Sequence, residues 1–273
     1  ISTGTSENKF GIGLDRLAAT YEAAARMPNI RIAGLQMHIG SQITEAKPFA
    51  EAIQKLLPLA RDLTNRYGME FFSIGGGMGI IYRRALESGS GKWWHEHDGE
   101  PSAFSVSDYA NAIVPPLRDL NIRVLIEPGR FLVGNAGALL TRVLYLKKSG
   151  TKTFAITDAG MNDLIRPALY QGYHEIVPVE KSVGEAASFP PSNSKVDIVG
   201  PVCESGDFFA HDREMPEPHE GHLLAIMSAG AYGFVMASNY NSRPLPAEVL
   251  VRGKQVSLIR KRQTWEDLVR DEA

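Results

Sequence analysis

Three short apolar runs, at residues 30–39, 69–74 and 122–126, alternate with stretches of helical periodicity, and this alternation constrains the fold more than any other feature. The helical stretches run from Leu14 to Met27, Thr44 to Tyr67 and Val106 to Leu120, with Pro28-Asn29 and Gly68 as stop signals. Strands separated by helices of this length pair in parallel through right-handed crossovers, as in a (β/α) barrel or a doubly wound sheet. About half of an eight-stranded barrel is accounted for. After Asn135 the rhythm changes. Leu139–Lys147, Thr153–Thr157, Val196–Val199 and Leu223–Ser228 read as strands without long intervening helices. The expected organisation is α/β: a partial barrel over 1–135, then a mainly antiparallel β domain over 136–273 with a loop at Ser182–Ser194.

With 273 residues, 44% of them hydrophobic, the chain can bury a substantial core. Its net charge of −2 is spread along the sequence, and no apolar run approaches the roughly 18 residues that span a bilayer. Neither nucleic acid nor a membrane is the expected partner. One cysteine excludes an intrachain disulfide framework, and the start, Ile1-Ser2-Thr3-Gly4-Thr5, is unlike a secretory signal, so a reducing, cytoplasmic setting is expected.

In parallel α/β folds reactive groups collect on loops at the carboxyl ends of strands. Three such loops follow one another here. His38-Ile39-Gly40-Ser41-Gln42 offers an imidazole that can lie on an aromatic ring, with backbone and hydroxyl donors for a phosphate. Gly75-Gly76-Gly77, with Gly79 close behind, lets backbone N–H groups approach an anion, although GxGxxG spacing is absent and a tight turn is the alternative. Glu127-Pro128-Gly129-Arg130 compresses a carboxylate, a rigid turn and a guanidinium into four residues. A carboxylate beside a pyridine nitrogen keeps it protonated, and an arginine fork holds a carboxylate or phosphate. An isolated turn of this kind would be an ordinary ion pair.

The second half adds three segments. In Met161–Tyr170, Pro167 suits the first position of a short helix, with Arg166 just before it and Tyr170 a turn later, both within reach of one anion. Cys203-Glu204-Ser205-Gly206-Asp207 sets the sole thiol beside two carboxylates, where it can act as a positioned acid or nucleophile, whereas a lone cysteine is otherwise a small buried hydrophobe. Tyr232, between Gly230 and Gly233, faces a ligand or an interface, or else packs as an ordinary tyrosine.

The ordered series HIGSQ (38–42), SIGGG (73–77), EPGR (127–130), MNDLIRPALY (161–170), GPVCESGD (200–207), AGAYG (229–233) and SNYNSRP (238–244) resembles diaminopimelate decarboxylase, of the alanine-racemase-like class of pyridoxal-phosphate enzymes. The likeness spans nearly the whole chain. EPGR and HIGS are shared with ornithine and arginine decarboxylases, whereas CESGD and RPALY are more particular. The resemblance implies that His38 stacks on the pyridine ring and that Ser41, Gly75, Gly76, Gly77, the Pro128-Gly129 turn and Tyr232 surround the phosphate. Glu127 would face the pyridine nitrogen. Arg130, Arg166 and Tyr170, with Tyr232, would bind substrate carboxylates, and Glu204 would read the distal ammonium. Cys203 would reprotonate the product carbon from across a C2 homodimer interface. A thiol suits that step, since an ordinary pKa of about 8.5 leaves it mostly protonated near neutrality.

Two departures stand out. The lysine that anchors the cofactor belongs, in the family, to a Tyr-x-x-Lys-Ala-like motif of an early barrel strand, ahead of the point where this chain begins. Lys147, Lys148 and Lys152 fall in the β domain and are not candidates for that role. Arg83–Phe104, containing Trp93-Trp94-His95-Glu96-His97-Asp98, reads as an insertion over the rim of the site, more a solvated loop than a metal centre. The implied reaction is decarboxylation of meso-2,6-diaminopimelate to L-lysine and CO₂. A decarboxylase of D-lysine or D-ornithine type and a non-catalytic binding subunit are the alternatives.

Overall fold

A computed structural model describes residues 9–85, 105–179, 195–216 and 218–272. The Trp-His cluster at 93–98 and the loop at 182–194 lie outside the described residues. The chain divides into two compact units, one running to Ile81 and resuming up to Leu132, the other comprising Tyr82–Ala85 and everything from Val133.

The first unit is built from α1 (Leu14–Ala25), β1 (Gly34–Gln36), α2 (Lys47–Tyr67), β2 (Phe71–Ser73), α3 (Val106–Leu117), β3 (Arg123–Leu125) and the short α4 (Gly129–Val133). β1, β2 and β3 pair in parallel in that order, with Leu35, Phe72 and Val124 in register. The sheet is the curled part-barrel expected from the alternation of elements. α2 buries Phe49, Ile53, Ala60 and Leu63, one stripe at helical spacing, against Phe72 and Ile74. Each fully buried Phe, Ile or Leu among them contributes about 1.5–3 kcal/mol of transfer free energy. A proline at the start of α2 fits where no N–H is needed, and the helix ends at Gly68, whose N–H bonds to the carbonyl of Thr64. α3 starts on a capping box, Ser105 with Asp108.

Several expected boundaries change; the helix expected to reach Met27 ends at Ala25, and the strands expected at 69–74 and 122–126 span Phe71–Ser73 and Arg123–Leu125. The strand at 30–39 is paired only over Gly34–Gln36, because its partner β2 is equally short. The helix expected from Thr44 begins at Lys47. The helix expected to reach Leu120 ends at Leu117 and continues as a 3₁₀ turn, Arg118–Leu120, after Pro115 and Pro116 remove two donors from the last turn.

The second unit carries β4 (Leu139–Ser149), β5 (Lys152–Thr157), α5 (Arg166–Tyr170), β6 (Ile176–Pro178), β7 (Lys195–Val199), β8 (Phe208–Glu214), β9 (Leu223–Ile226), the hairpin β10 (Glu248–Arg252) and β11 (Gln255–Arg260), and α6 (Trp265–Val269). Six strands form one sheet in the order β6-β9-β4-β5-β7-β8, antiparallel throughout except for the β5–β7 pair. Val143, Ala155, Leu164, Ile198, Leu224 and Ile226 are its core.

Candidate active site

In the first unit the loops at the carboxyl ends of β1, β2 and β3 come together at one end of the sheet. Met37 N–H bonds to Ser73 O at 2.9 Å and Glu127 N–H to Gly75 O at 2.9 Å, so the ladder carries the backbone just past each strand. His38, the glycine turn and Glu127 therefore emerge side by side. Oε1 of Glu127 accepts from Gln36 Nε2 and from Ser73 Oγ, both at 2.9 Å. Ser73 Oγ in turn accepts from Gly75 N–H at 3.1 Å. Gln36 and Ser73 thus fix the orientation of the carboxylate with neutral donors. Ser73 opens the SIGGG stretch but takes no role from the sequence, and sequence reasoning passes over Gln36 altogether; it lies at the end of β1, two residues before His38, which is the signal that could have found it.

The glycine turn has a packing role that its sequence does not disclose. Gly75, at φ +76°, lies so close to the β1 loop that a Cβ would stand 2.2 Å from Met37 O, and at Gly76 a Cβ would stand 2.8 Å from Glu127 O and 3.6 Å from His38 Cε1. The turn is thin enough for the His38 and Glu127 loops to close on it from either side. Arg130, in the first turn of α4, is 6% exposed, and its Nη2 donates to Ser41 Oγ at 3.0 Å, joining the third loop to the first.

In the second unit the carboxylate of Asp207 is 4% exposed and organises the cysteine turn. Its Oδ1 accepts from Met161 N–H and its Oδ2 from Val202 N–H, each at 2.6 Å. Burial pushes this carboxyl up from the ordinary range, and the two backbone N–H groups oppose the shift. Cys203 and Glu204 are left exposed on the turn, with Glu204 Oε1 accepting from Gly206 N–H at 3.1 Å. The expected pair of carboxylates beside the thiol therefore separates into one exposed acid and one buried strut. Gly200 packs on that strut so tightly that a Cβ would stand 2.3 Å from Oδ1.

The Met161 segment is held from its other side as well. Asp163 is buried, which raises its carboxyl, while Gly160 N–H and Arg243 draw it back. Arg243 Nε also donates to Asn162 Oδ1 at 2.8 Å, which ties the SNYNSRP stretch to MNDL. Arg166 is the first residue of α5 and does not precede it; Pro167 comes second, a one-residue shift permitted because no first-turn N–H has an intrahelical partner. The Arg166 side chain is 4% exposed, whereas Tyr170 is 44% exposed. Tyr232 is 43% exposed at φ 57°, in a loop anchored by Ala229 N–H to Gly137 O at 2.7 Å and Gly230 N–H to Gly134 O at 3.0 Å.

Of the lysines set aside, Lys152 on β5 bonds to Asp197 Oδ2 at 2.8 Å, and Lys147 and Lys148 lie on β4. Among the described residues no group of three or more His, Cys, Asp or Glu is arranged to hold a metal ion, and no helix is long and apolar enough to cross a membrane.

Residues 18–230 match the family described as pyridoxal-dependent decarboxylase, C-terminal sheet domain. The chain belongs to the pyridoxal-dependent decarboxylase family. Within that family it is 43% identical over 272 residues to the diaminopimelate decarboxylase of Aquifex aeolicus, covering 98% of this chain and 59% of the relative. Against the diaminopimelate decarboxylase of Zymomonas mobilis it is 44% identical, covering 100% of this chain and 60% of the relative. The crystal structure of the Helicobacter pylori diaminopimelate decarboxylase complexed with L-lysine superposes with a TM-score of 0.84 at 38% identity, covering 99% of this chain and 62% of that one. The chain thus spans about 60% of the length of these decarboxylases.

Proposed function

We propose that this chain is part of a pyridoxal-phosphate-dependent decarboxylase that converts meso-2,6-diaminopimelate to L-lysine and CO₂. The observation that carries the reading is the setting of Glu127. Its hydrogen-bond partners among the described residues are an amide and a hydroxyl, so the carboxylate is oriented while its negative charge stays available to a cationic N–H. A pyridinium nitrogen is such a cation. The neighbouring imidazole of His38 and the thin glycine turn suit a flat ring bearing a phosphate, so the residues present fit the cofactor.

When bound, pyridoxal phosphate supplies the conjugated ring that delocalises the electron pair left on the substrate carbon as CO₂ departs. Glu127 would keep the proton on its ring nitrogen and His38 would lie against the ring. Ser41, the Gly75–Gly77 turn, Pro128-Gly129 and Tyr232 would hold its phosphate. Arg130 supports this loop through Ser41 and, with Arg166, Tyr170 and Tyr232, receives substrate carboxylates. Glu204 takes the distal ammonium. Cys203 delivers one proton to the carbon that has lost CO₂, and the reading includes a C2 homodimer in which Cys203 and Glu204 serve the partner's site. A substrate with opposed charges at its far end matches arginine and glutamate together, and one lacking the second carboxylate leaves a guanidinium without its ligand.

The test uses the complete gene product with pyridoxal phosphate. A visible absorption band that borohydride bleaches, with cofactor retained on a lysine, and faster turnover of meso-diaminopimelate than of D-lysine are expected. A colourless protein, or a preference for D-lysine, defeats the proposal.

A further inference from the structure

The residue behind Arg166 has no part in the reaction as drawn so far. His174 is 0% exposed, four residues beyond the end of α5. Its Nδ1 lies 2.7 Å from the carbonyl oxygen of Met227, and its Nε2 lies 2.7 Å from Nη1 of Arg166. A carbonyl can only accept and a guanidinium can only donate, so both contacts require the same neutral tautomer, with hydrogen on Nδ1 and the lone pair on Nε2. The imidazole is thereby committed as an acceptor for the arginine.

Other contacts fix this pair in place. The Tyr82 ring meets His174 edge-on at 5.2 Å and carries the Arg166 guanidinium on its face at 4.4 Å. Arg213 Nη1 donates to the backbone carbonyl of His174 at 2.9 Å and to Tyr173 Oη at 3.0 Å. The backbone carbonyl of His174 and both of its ring nitrogens are thus engaged. A neutral acceptor has one property that a carboxylate in its position would lack: it sets the direction of the guanidinium without drawing on its charge.

We infer that His174 is a positioning residue, which aims the guanidinium of Arg166 at a substrate carboxylate. The inference rests on the reading above that Arg166 receives such a carboxylate. Its consequence is a role in substrate affinity and not in the chemical step, because the arginine contacts the carboxylate in ground and transition states alike.

Two substitutions separate the two ends of the imidazole. In His174→Gln the amide oxygen can stand where Nε2 stood and still accept from Arg166; in His174→Asn the shorter amide reaches only towards Met227 and the acceptor is lost. In the complete protein loaded with pyridoxal phosphate, His174→Asn should raise KM for meso-diaminopimelate roughly tenfold or more with kcat changed much less. His174→Gln should restore KM to near the wild-type value. Equal damage from both substitutions, or a loss confined to kcat, overturns the assignment. A second readout does not depend on turnover. In protein labelled with ¹⁵N-histidine, the His174 ring should show a protonated Nδ1 and an unprotonated Nε2, and the Nε2 resonance should move in Arg166→Lys. A protonated Nε2 sinks the inference even in an active enzyme. A wild-type protein inert towards diaminopimelate but with the expected resonances refutes the decarboxylase reading and leaves the His174–Arg166 contact standing.

Discussion

The parallel unit and the antiparallel unit present their candidate site residues by different means. In the first, regular strand ends do the positioning: β1, β2 and β3 stop in register, and His38, Gly75 and Glu127 follow directly from that register. In the second, buried carboxylates do it. Asp207 holds the cysteine turn against Met161, and Asp163 with Arg243 holds the next stretch of the same segment. A site fixed by a sheet depends on backbone geometry and on the close approach of neighbouring loops. A site fixed by a buried charge depends on one side chain and on the room left for it.

The largest effect should come from the group that needs both its chemistry and its strut. Cys203→Ala in the complete protein should retain cofactor, measured by its visible absorption, and lose at least about a hundredfold in turnover, the usual contribution of a positioned general acid. Turnover close to wild type would remove Cys203 from the reaction. Next come the two glycines that make room, one in each unit. Gly75→Ala adds a Cβ against a backbone oxygen at a left-handed φ, and Gly200→Ala adds one against the Asp207 carboxylate. Each should destabilise by about 1–3 kcal/mol in denaturant unfolding. Gly200→Ala should in addition change the rate at which Cys203 is alkylated, whereas Gly75→Ala should not. Equal alkylation rates in both would erase the contrast.

The smallest effect concerns pH and lies within the second unit. The Asp207 carboxyl is pushed up by burial, so the folded state holds its proton more tightly than the unfolded one. The associated stability is present below the unfolded value of about 3.9 and is lost as pH rises through the folded value. Asp197 behaves in the opposite way. Burial raises it, but the Asp212 N–H, Lys152 and His211 together carry it below the ordinary value, so its stability is present above about 3.9 and lost as pH falls through the folded value. Melting temperatures of Asp197→Asn and Asp207→Asn followed across acid pH should therefore diverge from wild type in opposite directions. On acidification the deficit of Asp197→Asn should shrink and that of Asp207→Asn should grow. Parallel curves would mean that the two carboxylates do not differ in kind.

The same division governs what can be read from the sequence. The strand and helix alternation of the first unit is legible because short apolar runs alternate with apolar residues at helical spacing, of which α2 buries Phe49, Ile53, Ala60 and Leu63. Boundaries are less so: pairing needs a partner of equal length, and the apolar run at 30–39 extends well beyond what β2 can match. In the second unit β8 escapes notice because its outer half, His211-Asp212-Arg213-Glu214, is polar. The β10–β11 hairpin could have been found from two apolar runs flanking Arg252-Gly253-Lys254. The motif residues are visible one by one, but the long-range contacts that support them are not. Gln36, Ser73, His174 and Arg243 act on residues 8 to 91 positions away, and no local pattern records such pairs.

β6 and β7 are successive strands of the chain, yet β9, β4 and β5 lie between them in the sheet. Each is stitched to strands drawn from elsewhere in the sequence, β6 to β9 and β7 to β5 and β8. No single cut of the polypeptide separates this sheet into two self-contained pieces, so the segment bearing Arg166 is woven into the fabric it crosses and has no existence as a detachable loop.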